Sequence, residues 1–132
     1  MRALRLRVAD DTYAIPMAAA REVLADVDIT PLPTAPSSVL GVCNVRGEII
    51  PVFDTGVLLG LGPLPPFETV VVVETPLGPA GLATSDLVKS VDLGDAVGTT
   101  DGPATVGAFA GEDGVAVLVD VEALLTPARI AS

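Results

Sequence analysis

Histidine and tryptophan are both absent from this 132-residue chain; there is one cysteine, and only seven Lys or Arg side chains stand against seventeen Asp and Glu. Without histidine the chain lacks the commonest general base, the commonest transition-metal ligand and any histidine phosphotransfer of its own. No metal or cofactor is expected. A lone Cys43 makes no internal disulfide, and within its apolar stretch it reads as a small buried hydrophobe. The formal charge of −10 opposes a nucleic-acid partner, because affinity for a polyphosphate rests on Lys and Arg neutralising its charge. Long apolar runs are missing too. The stretches Thr30–Val45 and Thr55–Phe67 are free of charge but broken by prolines, whereas a membrane span needs about 20 predominantly apolar residues. With no apolar core of a signal peptide at the amino end, the expectation is a soluble cytoplasmic protein with no direct membrane insertion.

Half of the residues are hydrophobic and only four are aromatic, so the core must be built from Val, Leu, Ile and Ala, a composition that leans towards strands. The length is that of one ordinary domain. Within it two segments are written to one plan. Gly41 leads through a turn into Ile49-Ile50-Pro51-Val52-Phe53-Asp54 and then Leu58-Leu59; sixty-six residues on, Gly107 leads into Val115-Ala116-Val117-Leu118-Val119-Asp120 and then Leu124-Leu125. Upstream, Tyr13-Ala14-Ile15-Pro16 resembles Ala80-Gly81-Leu82-Ala83 at an offset of sixty-seven. Self-similarity at a fixed offset predicts a duplicated unit, with subdomains over about 13–61 and 69–125 inside a single domain 1–132 and exchange of terminal strands allowed.

Leu4, Leu6 and Val8 alternate with Arg5 and Arg7, the period of a half-buried strand. Thr12–Ile15 follows Asp10-Asp11 as its hairpin partner. Pro16 and the helix formers Met17–Glu22 predict a short helix or turn before Val23-Leu24 returns to strand. Val39–Val45 and Glu48–Phe53 make a hairpin about Arg46-Gly47, and Asp54 caps a short helix. Gly60–Pro66 reads as a linker. Thr69–Glu74 and Ala80–Ala83 pair about Leu77-Gly78, Val88–Leu93 is a strand, Gly94–Pro103 a polar loop, and Thr105–Ala110 pairs with Val115–Val119. Asp120 then caps a terminal helix ended by Pro127. About ten short strands with close turns predict an all-β fold with short helices, arranged as two small barrels packed together.

Catalytic constellations are scarce. Asp54-Thr55-Gly56 after an apolar strand is the pattern of an aspartic protease, and the chain length suits a retroviral-type dimer. Its counterpart Asp120 is followed by Val121-Glu122, which cannot rebuild that loop, so one N-cap role explains both aspartates and the protease remains a remote alternative. Asp10-Asp11, Asp26 with Asp28, and Glu112-Asp113 read as solvated turns.

The motifs Arg21-Glu22-Val23, Leu32-Pro33-x-x-Pro36 and Gly41-Val42-Cys43-Asn44-Val45-Arg46-Gly47-Glu48-Ile49-Ile50-Pro51-Val52-Phe53-Asp54 resemble the CheW family of bacterial chemotaxis coupling proteins. The resemblance runs from Leu4 to Leu125. It implies two five-stranded SH3-like barrels and a non-enzymatic adaptor, which couples the cytoplasmic tip of a methyl-accepting chemoreceptor to the regulatory domain of a CheA-type histidine kinase. Carried over by position, Glu22 and Arg46 match the family's acidic and basic pair near the partner-binding surface, with Val23 beside them. Gly41, Asn44 and Gly47 fall in the same signature, and Thr30, Thr69 and Gly81 match positions near the groove where a receptor helix is expected. Ser85 stands where the family usually has Asp, and Thr55-Gly56 where Leu-Arg is more usual; the alternative is therefore a divergent member that binds only one of these partners in another chemosensory pathway.

Overall fold

In the computed structural model, the described residues are 1–67, 69–85, 88–112 and 114–131. Eleven strands are found among them: β1 (Arg2–Val8), β2 (Asp11–Pro16), β3 (Ala20–Ala25), β4 (Val39–Val45), β5 (Glu48–Asp54), β6 (Thr69–Thr75), β7 (Gly78–Thr84), β8 (Lys89–Asp92), β9 (Ala96–Gly98), β10 (Thr105–Gly111) and β11 (Gly114–Val119). Short helices α1 (Thr55–Leu58), α2 (Val121–Leu124) and α3 (Pro127–Ala131) follow β5 and β11. The fold is all-β with short helices, in two sheets ordered β8-β1-β2-β11-β10-β9 and β3-β6-β7-β5-β4.

Each sheet holds strands from both halves of the chain. The β1–β2 hairpin joins β8 to β11, and the β6–β7 hairpin joins β3 to β5. The two parallel junctions are equivalent: Val52 lies opposite Gly81 where β5 meets β7, and Leu118 opposite Ala14 where β11 meets β2. Register shifts fall at matching places, between Val39 and Gly41 and between Thr105 and Gly107. Asp54 N donates to Ser38 O and Asp120 N to Ala104 O, both at 2.8 Å.

Both sheets curl back on themselves. Thr30, beyond β3, exchanges two backbone bonds of 2.8 and 2.9 Å with Val42 on the edge strand β4. Likewise Gly94 N donates to Ala110 O at 2.8 Å, so the segment leaving β8 crosses to β10. Edges that would template aggregation are thereby covered.

The valine run of β6 shows how the core is divided. Successive strand residues face opposite ways, and here both faces are buried: Val70 and Val72 point into the five-stranded sheet with Cys43, Ile50 and Val52, while Val71 and Val73 point at the other sheet with Leu4, Leu6 and Ile15. A third cluster, Ala3, Ala14, Val91, Leu93, Ala116 and Leu118, fills the six-stranded sheet. Each fully buried Val contributes about 1.5–3 kcal/mol, so a charge placed at Val71 or Val72 would unfold the junction.

Three local expectations change. Ala20–Glu22 is strand rather than helix, because β6 supplies a pairing partner for it; only Met17–Ala19 makes a single 3-10 turn. The predicted loop Gly94–Pro103 contains β9. Pro127 opens α3 instead of ending α2, in keeping with proline's fitness for a first helical position. The linker Gly60–Pro66 has no helix or strand and is held in place, with Leu61 N on Gly56 O at 2.8 Å and Leu64 N on the Asp54 carboxylate. Asp113, read as a turn residue, lies outside the described residues.

Candidate functional site

Strands β4 and β5 meet in a two-residue loop, Val45 lying opposite Glu48. Arg46 and Gly47 both have positive φ, +51° and +87°, the geometry of the primed turns that match the twist of a hairpin. Arginine is an unusual occupant of that conformation. Asn44 braces it, its Oδ1 accepting from Gly47 N at 2.9 Å, and the Arg46 guanidinium is presented outward.

There it donates to Glu22 on β3. Arg21 sits among three carboxylates, at 2.9 Å from Glu48, 3.6 Å from Glu74 and 3.7 Å from Glu22. Its pKa is raised, first by the hydrogen bond to Glu48; burial opposes this next, and the charges of Glu48, Glu74 and Glu22 add smaller raising effects. Strands β3 and β6 and the β4–β5 hairpin are tied by this cluster of five charges. Its outer member is open to water: the Arg46 side chain is 69% exposed against 21% for Glu22. The exposed-pair regime therefore applies, worth about 0–1 kcal/mol.

Beside the cluster opens a groove of about 510 Å³, lined by Leu24, Asp26, Asp28, Thr30, Asn44 and Arg46 among others. Thr30, Asn44 and Arg46 are thus brought together, with Glu22 bonded to Arg46 and Val23 exposed next to it. Gly41, Thr69 and Gly81 are buried. A Cβ on Gly41 would stand 2.2 Å from Thr30 O, and one on Gly81 2.8 Å from Val70 Cγ1, so these two glycines permit close approaches. Residues not named from sequence as site candidates also belong here: Arg21, Glu48, Glu74 and the 60%-exposed Ile49. Strand alternation could have found Ile49, since Ile50 is wholly buried and its neighbour must face outward.

Asp54 is 4% exposed, its Oδ1 accepting from Val57 N at 3.1 Å while Leu64 N approaches both oxygens at 3.3 and 3.2 Å. A carboxylate engaged in this way acts as a helix cap and loop anchor. Among the described residues no three His, Cys, Asp or Glu side chains converge as a metal-holding group.

The family model for the CheW-like domain matches residues 2–129. The chain is 32% identical over 94 residues to the chemotaxis protein CheW of Rhizobium meliloti, a match covering 67% of this chain and 61% of that protein. It is 28% identical over 94 residues, with the same shares, to the probable chemotaxis protein CheW of Rhizobium etli. The matched part thus spans about three fifths of the length of these curated relatives. Among solved structures, the scaffolding protein TtCheW of Thermoanaerobacter tengcongensis superposes with a TM-score of 0.77 at 24% identity, covering 95% of this chain and 87% of that one. That likeness is one of fold.

Proposed function

This chain belongs to the CheW-like domain family, and from that membership we propose that it is a non-enzymatic adaptor of a bacterial chemosensory pathway. It holds the cytoplasmic tip of a chemoreceptor and the regulatory domain of a CheA-type histidine kinase, and works in the cytoplasm. Among the described residues no helix is long and apolar enough to cross a membrane. We further assign the chain as one domain of two subdomains that exchange their leading hairpins.

The observation that carries the reading is the exposed face made by Glu22, Val23 and Thr30 together with Asn44, Arg46 and Gly47 of the signature hairpin, beside a groove. Rigid presentation favours binding, because little conformational freedom is left to lose. Gly41, Thr69 and Gly81 support that face from beneath. Their contribution is to shape rather than contact.

Retention of purified receptor tips and of the kinase regulatory domain, each tested alone, is the decisive measurement. Both should be held by the chain, and Arg46→Ala should lose at least one with its melting curve unchanged. Retention of a single partner would select the divergent alternative; retention of neither would defeat the adaptor reading.

A further inference from the structure

Asp54 and Asp120 hold equivalent places, yet only one of them is covered. Beside Asp54 the chain after α1 folds back, Leu61 N reaching Gly56 O at 2.8 Å and Leu64 N the carboxylate at 3.2 Å. Leu64 then packs against the core of the five-stranded sheet, as does the half-buried Leu40. Sixty-six residues later Ile130 stands in the position of Leu64, but the tail departs. Ile130 O accepts from Ser38 Oγ at 2.7 Å and Arg129 donates to Leu58 O at 2.9 Å, both on the other half of the chain.

Asp120 is left exposed, with its Oδ1 bound to Ala123 N at 3.2 Å. Val106, the counterpart of Leu40, is 59% exposed. Between them opens a groove of about 520 Å³ with Pro16 and Leu118 in its lining, rimmed by Glu74, Asp120 and Glu122; no basic side chain among the described residues lines it.

We propose that this groove docks an extended segment of a partner protein, one that carries a leucine-type anchor and a basic residue. The chain's own residues 61–64 show how such a segment satisfies the equivalent place: a backbone N–H on the carboxylate and a leucine on the apolar floor. The acceptor is the Asp120 side chain, and the four-residue helix it caps takes no part. One difference defines the occupant further. Gly56 lets the fold-back lie close, since a Cβ there would stand 2.4 Å from Gly62 O, whereas Glu122 occupies the matching position. A segment on Asp120 must cross further out, where a basic side chain meets Glu122. Asp120 and Glu122, with Glu74 shared with Arg21 at 3.6 Å, select such a ligand on an apolar groove by charge complementarity. The site goes beyond the adaptor reading; it shares Glu74 with the charge cluster but includes neither Glu22 nor Arg46.

The test is a titration of the isotope-labelled full chain with a synthetic peptide copying residues 59–67, with Gly62→Arg. Saturable NMR shifts at Val106, Asp120 and Glu122 are expected, with a Kd below about 1 mM. Asp120→Ser keeps a capping oxygen but removes the carboxylate, and should weaken binding about tenfold, as should Leu64→Ala in the peptide. If Asp120→Ser melts early, Glu122→Gln at the exposed rim serves instead, with a loss of about threefold. No saturable shift, shifts confined to another surface, or unchanged affinity in the folded variants would overturn the proposal. The Arg46→Ala chain should bind the peptide normally, which separates this site from failure of the adaptor reading.

Discussion

Asp54 and Asp120 each accept a hydrogen bond from the backbone three residues ahead, Val57 N at 3.1 Å and Ala123 N at 3.2 Å. Their burial differs: Asp54 is 4% exposed and also takes Leu64 N, while Asp120 faces water. Alanine at Asp120 should therefore cost about 1 kcal/mol, the ordinary loss of an N-cap. Alanine at Asp54 should cost about 2–4 kcal/mol, because two backbone donors lose their acceptor in a buried place. Urea denaturation of the two variants measures both; equal losses would contradict the unequal roles.

Gly41 and Gly47 belong to one strand and loop but are glycine for different reasons. A Cβ on Gly41 collides with Thr30 O at 2.2 Å, whereas one on Gly47 meets nothing and only the φ of +87° resists it. Gly41→Ala should cost about 3 kcal/mol or more by forcing apart the Thr30–Val42 bridge that closes the five-stranded sheet. For Gly47→Ala the backbone penalty alone is about 1 kcal/mol. Amide exchange at Thr30 and Val42 should accelerate in the first variant and stay slow in the second.

The hairpin carrying this contrast was the most legible part of the chain. Val39–Val45 and Glu48–Phe53 were expected and Val39–Val45 and Glu48–Asp54 are found, because alternating burial and a glycine turn are local signals that packing reinforces. β9 was illegible for the opposite reason. Ala96, Val97 and Gly98 are all exposed and owe their strand to β10, with which they pair irregularly. At Ala20–Glu22 good helix formers were overruled by a partner strand about fifty residues away in sequence. The same distance hid most of the charge cluster. That Arg21 meets Glu48 and Glu74 follows from how β3, β5 and β6 align, which no short motif encodes, while Glu22 and Arg46 were visible only through resemblance to a family.

Cys43 lies in the interior of the five-stranded sheet at 3% exposure, and burial raises its thiol pKa above the ordinary value. Thiolate is the reactive form, so the native thiol should resist a water-soluble disulfide reagent at pH 8 and react fully in denaturant. Since the folded-state pKa is the higher one, the stabilisation from keeping the thiol protonated is complete below the unfolded pKa. It is lost as pH rises from that value through the folded one. Native labelling as fast as that of a small free thiol would show that the sheet interior opens.

For Glu22 and Arg46 the expected coupling is small and the expected functional effect large. With Arg46 69% exposed, a double-mutant cycle of Glu22→Ala and Arg46→Ala should give a coupling of about 0.2–1 kcal/mol in low salt, falling towards zero in 1 M salt. Both guanidiniums of the cluster lean on Glu22, so Glu22→Ala should destabilise slightly more than Arg46→Ala. A coupling of about 3 kcal/mol or more would place the pair in the buried regime. Arg46 would then be a fold residue, and any binding loss on its removal would report unfolding rather than contact.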